Sequence, residues 1–329
     1  MGGGKHSSLF LKIISLDNLL NSWQEFKRGK ATRKDIQAFA FNLEENIFCL
    51  HEELENKTYF HSPYQSFYIQ DPKTRNIHKA CVKDRVVHQA LFRVLYHYFD
   101  KKFIFDSYSC RLNKGNHKAV YRLEKLIRKA SLDYQKPVFA LKCDIRKFFA
   151  NVDQEILLSL LQKTIKDQDT IWLIKKIIDS FSSSPDKGLP LGNVTSQLFS
   201  NIYLNELDYF VKHSLRQRFY IRYCDDFIIL HENKKYLENL VAILANFLQN
   251  RLKLDLHPNK ITIRKVNQGV DFLGYVALPR YRVLRTKTKK RILRLANSKN
   301  LPSYLGVLKH ANTYELRQIL IKKIIWFFK

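Results

Sequence analysis

Two adjacent carboxylates, Asp225 and Asp226, stand between two apolar runs, Phe219 to Tyr223 and Phe227 to Leu230. With so short a spacer, the runs predict a β-hairpin whose turn carries the acids. A carboxylate pair is poorly placed there for packing, because a buried charge needs a partner or a metal. It suits Mg²⁺, which takes one or two carboxylates and keeps sites for phosphates and waters. Upstream, Pro137 to Cys143 reads as a strand that ends in Asp144. Two metals flanking an in-line phosphoryl displacement need about three carboxylate-type contacts from separate elements. A strand-end Asp and a hairpin Asp pair meet that need. The same acids also have a purely structural reading, with Asp144 capping the turn into a helix near Asp153 and Asp225 and Asp226 as solvated turn residues.

The elements around these acids belong to a chain of 329 residues, enough for two or three compact units and a sizeable core. Its formal net charge of +27 is spread along the sequence rather than confined to a tail. That balance implies a polyanionic partner bound through salt-sensitive phosphate contacts. With 13% aromatic residues in a folded pattern, nucleic acid fits better than a membrane surface. Five widely spaced cysteines, Cys49, Cys81, Cys110, Cys143 and Cys224, form no C-x-x-C pair. They point to reduced thiols in a cytoplasm, without a disulfide framework or zinc. Lys12 and Asp17 interrupt the apolar stretch Ser7 to Leu20, so no targeting segment is expected there. The run Ile319 to Phe328 is too short, and too broken by Lys322 and Lys323, to span a bilayer. It reads as an amphipathic helix, and no membrane partner is expected.

Pattern divides the chain further. Leu9 to Leu54 reads as mostly helical, with Phe39, Leu43, Ile47 and Leu50 near helical spacing and a basic break at Lys27 to Lys34. Tyr59 to Ile77 alternates as strands do and contains the turn Asp71-Pro72-Lys73. Val82 to Phe99 returns to helix, and Leu237 to Leu252 is a second amphipathic one. The last segment opens with Arg280, Arg282, Arg285, Lys287, Lys289, Lys290, Arg291 and Arg294. A charge run of this kind is often only a solvated face; within so basic a chain it reads as a surface that tracks nucleic acid.

Several of these residues, in order, resemble the palm motifs of reverse transcriptases. Asp144 is followed by aromatic residues, then come Gly188-Leu189-Pro190-Leu191-Gly192, Tyr223-Cys224-Asp225-Asp226, Pro258-Asn259-Lys260 and Phe272-Leu273-Gly274-Tyr275. Upstream, Lys73-Thr74-Arg75, Lys83-Asp84-Arg85 and Ser109 to Gly115 are similar to the finger motifs of group II intron-type and related bacterial enzymes. The segment Pro190-Leu191-Gly192 with Ser196-Gln197 most resembles the diversity-generating retroelement enzymes of phages and bacteria. Ser303 to Gly306 and His310 to Thr313 are similar to that group's thumb.

The resemblance implies an α+β right-hand polymerase with fingers, a palm of antiparallel sheet and helices, and a short helical thumb. Its boundaries would be an N-terminal helical extension over 1–58, fingers over 59–136, palm over 137–279 and a basic thumb over 280–329. It implies error-prone, adenine-mutagenic cDNA synthesis from an RNA template and dNTPs, in a bacterial cytoplasm, whether host- or phage-encoded. Asp144, Asp225, Asp226 and the backbone carbonyl of Ile145 would hold two Mg²⁺ ions, with Mn²⁺ as a substitute. Lys73, Arg75, Phe149, Leu191, Gly192 and Lys260 would contact the dNTP. In those roles Arg75 and Lys73 neutralise the triphosphate, Phe149 excludes a ribose 2′ hydroxyl and Lys260 protonates the leaving pyrophosphate. Arg111, Ser196, Gln197, Arg285, Lys289 and Lys290 would contact template and primer. A small basic accessory protein oligomer would be a partner beside RNA and nascent cDNA. Alternatives are a group II intron-like or antiphage-defence enzyme and, from another class, a non-catalytic RNA-binding subunit of a ribonucleoprotein.

Overall fold

The computed structural model describes residues 8–70 and 74–326, with side chains through Lys322. The turn Asp71-Pro72-Lys73, and Lys73 as a dNTP-binding candidate, lie outside the described residues. The chain opens with helices α1 (Leu9–Ile14), α2 (Leu16–Lys27), α3 (Lys34–Phe41) and α4 (Leu43–Glu55). A ribbon of β1 (Gln65–Gln70) and β2 (Thr74–Lys79) leads into α5 (Val82–Asp100). Next come α6 (Asn116–Ala130), β3 (Phe139–Asp144), α7 (Phe148–Asn151), α8 (Gln154–Thr164), α9 (Gln168–Asp179) and α10 (Val194–Tyr209). The hairpin β4 (Tyr220–Tyr223) and β5 (Asp226–His231) precedes α11 (Lys234–Leu252), β6 (Thr262–Lys265), β7 (Val270–Phe272), β8 (Tyr275–Leu278) and β9 (Tyr281–Leu284). Helices α12 (Thr286–Leu295), α13 (Leu301–Leu308) and α14 (Tyr314–Trp326) close the described chain.

These elements fall into two compact units. The first draws on the chain up to Ile104, on Arg146–Asp208 and on Phe247–Asp255; the second on Phe105–Ile145, Tyr209–Asn246 and the chain from Leu256 onward.

The second unit is built on an antiparallel sheet of order β4-β5-β3-β6. Phe227, Ile228, Ile229 and Leu230 are all buried, which is why β5 reads as an unbroken apolar run rather than an alternating one. A strand covered on both faces needs no polar side. Helix α6 buries Ala119, Val120, Leu123, Leu126 and Ile127, spaced as one helical stripe, in a core shared with Ile221, Ile228 and Leu230. The meander β7-β8-β9 joins the same core through Phe272, Tyr275, Ala277 and Leu284, and Ile292, Leu308 and Leu320 reach it from the last three helices.

The first unit packs α1, α2 and α4 with α5 around Ile13, Leu19, Trp23 and Leu91. Asp153 caps α8 by accepting from Ile156 N at 3.0 Å, as its position predicts. Asp167 does the same for α9 with Asp169 N and Thr170 N.

Three expectations need correction. Tyr281–Leu284, grouped with a helical tail by its cations, is a strand paired antiparallel with β8. The alternation of Tyr281 and Val283 against Arg282 and Leu284 served a sheet, and the surrounding charge obscured it. The Phe39-to-Leu50 stripe is broken at Asn42, between α3 and α4. The hairpin turn does not carry both acids: Cys224 and Asp225 make the turn, and Asp226 begins β5.

Candidate active site

The pairing of β3 with β5 sets Asp144 directly opposite Asp226. Such partners project from the same face with Cβ atoms roughly 5 Å apart, and like charges there repel. Asp225 is held beside them by its carbonyl, which accepts from Ile145 N at 3.2 Å. The preceding Cys224 adopts φ +54°, a left-handed conformation that favours glycine. The buried Arg222 steadies it: Nη1 donates to Cys224 O at 3.1 Å and Nη2 to Ser107 Oγ at 3.1 Å. The segment around Ser107 forms a parallel bridge with Arg222, with Arg222 N donating to Asp106 O and Tyr108 N to Arg222 O. Asp106 is in turn gripped by Arg122 at 2.7 and 3.2 Å.

Two lysines answer the acids. Lys260 Nζ lies 2.5 Å from Asp144 Oδ1, and Lys142 Nζ lies 3.2 Å from Asp226 Oδ2 while donating to Asp271 O at 2.9 Å. Burial pushes the Asp225 carboxyl above its usual range, and the neighbouring Asp144 adds to the shift. Burial also pushes Asp226 up to about 6, against the pull of Lys142. With a side chain only 19% exposed, Asp226 is no solvated turn residue, and its Oδ1 is buried without a hydrogen-bond partner.

Three acids against two lysines leave negative charge uncompensated, and an orphaned carboxylate oxygen among them suits a hard divalent cation. In chemistry the donors fit such an ion. Among the described residues, however, no three His, Cys, Asp or Glu side chains close on one point. Asp144 and Asp226 face Lys260 and Lys142, so a bound cation must share them with those lysines.

Other candidates of the second unit lie apart from this cluster or at its edge. Ile145 is buried and bridges antiparallel to Leu256. Arg111 Nη1 donates to Ser107 O at 3.1 Å. Arg285 pairs with Asp271, whose carbonyl Lys142 holds, so it is linked to the acids through one residue. Lys289 and Lys290 lie on α12, Lys290 exposed and Lys289 half-buried.

The first unit carries the remaining candidates. Arg75 is exposed on β2 opposite Ile69. Phe148 takes the buried place against Tyr203 and leaves Phe149 half-buried, its ring edge-on to Phe148 at 5.4 Å. Leu191, half-buried, accepts from His78 N at 3.0 Å, which ties its loop to β2. Gly192 stands at φ +114°, and a Cβ there would come 3.1 Å from Ile77 Cγ2. Gly188 is stricter, since its Cβ would meet Ser183 Oγ at 2.5 Å. Ser196 is buried and Gln197 exposed in the first turn of α10.

Sequence reasoning missed Lys142, Arg222 and Asp271. Lys142 carried a signal, for it lies two residues before Asp144 and so on the same strand face. Arg222, a charge inside an apolar strand, was a second one. Asp271 carried none, because its contact to Lys142 joins residues 129 apart in sequence.

A family model for reverse transcriptase (RNA-dependent DNA polymerase) matches residues 69–277. The chain is 23% identical over 289 residues to protein YkfC of Escherichia coli K12, covering 76% of this chain and 74% of that protein. It is 24% identical over 319 residues to the group II intron-encoded protein LtrA of Lactococcus lactis subsp. cremoris, covering 75% of this chain. The match spans only 51% of that intron-encoded relative.

Proposed function

The chain belongs to the reverse transcriptase family of RNA-directed DNA polymerases, and from that premise we propose that Asp144, Asp225 and Asp226 form its polymerising centre. The observation that carries this reading is the β3–β5 register, which sets Asp144 opposite Asp226 with Asp225 in the adjoining turn. Asp144 and Asp225 would hold two Mg²⁺ ions, or Mn²⁺ in their place, with the Ile145 carbonyl as a further ligand and Asp226 in support. Such a pair, when bound, activates the primer 3′ hydroxyl and stabilises the leaving pyrophosphate.

The chain's own groups do the rest. Lys260 carries a proton to the departing pyrophosphate. Arg75 and Lys73 neutralise the triphosphate, arginine as a planar fork and lysine as a point charge. Phe149 closes the space that a ribose 2′ hydroxyl would need, and Gly192 lets the backbone approach the nascent pair. Ser196, Gln197, Arg111, Arg285, Lys289 and Lys290 hold template and primer. Fingers, palm and thumb would follow the boundaries given above. Asp225→Asn tests the centre: template-directed incorporation should fall below detection with no loss of melting temperature, because the substitution removes a charge that burial disfavours. Near-wild-type incorporation by that variant would sink the assignment.

At finer grain the reading is a diversity-generating, error-prone enzyme, supported by Leu191 within Pro190-Leu191-Gly192. Leucine offers packing but no donor or acceptor. One missing hydrogen bond of roughly 0.5–1.5 kcal/mol changes discrimination about two- to tenfold. Errors should concentrate opposite template adenines, and Leu191→Gln should reduce them; an even error spectrum on a balanced RNA template would count against this subtype. Such an enzyme would act in a bacterial cytoplasm with a small basic accessory protein, RNA lying between the two cationic surfaces. The similarity to an intron-encoded protein favours a second reading, a group II intron-like enzyme.

A further inference from the structure

A buried chain of hydrogen bonds in the first unit has no part in the chemistry above. His61 Nε2 lies 3.0 Å from His88 Nε2, and His88 Nδ1 lies 3.1 Å from Thr195 Oγ1. His88 and Thr195 are each 1% exposed and His61 6%. Behind His61 sits Asp84, fully buried, accepting from Tyr59 Oη at 2.8 Å, Ser62 N at 3.0 Å and Cys81 Sγ at 3.0 Å. Its Oδ2 stands 3.7 Å from His61 Nδ1.

The directions of these bonds can be worked out from one end. The Ser62 carbonyl only accepts, so His61 Nδ1, 2.7 Å away, carries a proton. In neutral His61 the other nitrogen is then bare and takes the proton of His88 Nε2. His88 Nδ1 is left as the acceptor for the Thr195 hydroxyl. Burial holds His88 neutral, its pKa lowered to about 3. In this arrangement no polar atom along the relay is orphaned, and a fully satisfied buried network specifies one arrangement of the groups it joins.

Thr195 is the second residue of α10, ahead of Ser196 and Gln197. No earlier helical turn offers its hydroxyl a carbonyl, so the hydroxyl serves the link to α5 instead. Just upstream, His78 N holds Leu191 O. The stretch from His61 to His88 therefore grips Leu191 and Thr195, the two ends of the segment that leads into Ser196 and Gln197.

We propose that His61 and His88 are positioning residues that set the start of α10, and with it Ser196 and Gln197, for the template strand. This rests on the template role given above to those two residues. The test is steady-state extension on a primed RNA template, with melting temperature measured alongside. Thr195→Val keeps the shape and removes the hydroxyl, leaving His88 Nδ1 unpaired in the core. It should raise the KM for template–primer about five- to tenfold, the scale of one lost buried hydrogen bond, with the KM for dNTP within about twofold of wild type. Thr195→Ser should restore most of the affinity. Thr195→Val in a His88→Leu background should add little, since the two act through one chain. A Thr195→Val enzyme that melts lower yet keeps a wild-type template KM would overturn the proposal. If that variant does not fold, His88→Gln, which keeps an amide near the Nε2 position but no acceptor at Nδ1, must show the same template-selective change or the relay is merely structural. Gln197→Ala separates the layers. No change there removes the template role itself, whereas a raised template KM there beside an unchanged one in Thr195→Val removes only the relay.

Discussion

Lys260 Nζ lies 2.5 Å from Asp144 Oδ1, so the strand-end acid takes its counter-charge from a short helical turn 116 residues downstream. The lysine is 36% exposed, within reach of solvent and of any polyphosphate bound at the acids. Its attachment to Asp144 keeps it beside the reacting groups rather than loose in a loop.

Lys260→Met should therefore act in two ways. The rate constant kcat should fall about 10²-fold through loss of a general acid. The Mg²⁺ concentration for half-maximal rate should also fall, because Asp144 no longer shares its charge. Lys260→Arg preserves charge but holds its proton; wild-type kcat in that variant would eliminate the proton-donor role. Metal titrations of the initial rate on both variants give the answer.

Arg222 supplies a second prediction. It is fully buried and clamps Cys224 O, one residue before Asp225. Arg222→Lys keeps the charge but cannot span Cys224 and Ser107 together. We expect kcat to drop about 10–100-fold, the usual effect of losing an outer support of a metal-binding group, with template KM little changed. Arg222→Met should unfold more readily by about 1–3 kcal/mol, since it leaves Cys224 O and the buried Ser107 Oγ without their donor. Equal kcat in Arg222→Lys and wild type would separate the clamp from catalysis.

The pH dependence of stability has a clear contributor at Asp35. Hydrogen bonds from Lys79 at 2.7 Å and Arg85 at 2.8 Å bring its carboxyl down to about 2, against the opposing effect of burial. The folded value lies below the unfolded 3.8, so the stabilisation is complete above that pH and disappears as pH falls through 2. After discounting for partial exposure, it amounts to about 1–2 kcal/mol. Asp35→Asn should show that deficit in urea unfolding at pH 7 and lose most of it near pH 2. A deficit equal at both pH values would assign the effect to packing.

Local pattern was enough for much of the molecule. The apolar run around Asp225 and Asp226 marks a hairpin because a tight turn and its flanking strands are neighbours in sequence. Asp153 marks a helix start because a cap acts on the next three residues. The stripes of α5 and α11 are legible for the same reason, as each helix displays its own period. Helix α10 is not legible in this way: Thr195, Ser196, Ser200, Asn201 and Asp208 are buried alongside its apolar residues, so burial all round erased the amphipathic period. Tyr281–Leu284 was misread because charge masked a short alternation. What tertiary structure alone decided was who meets whom. Nothing in either strand states that Asp144 faces Asp226, that Lys142 and Lys260 share the neutralisation, or that His61 and His88 join Thr195 to α5. Those pairings depend on strand register and on desolvation, and both arise only when distant segments exclude water together.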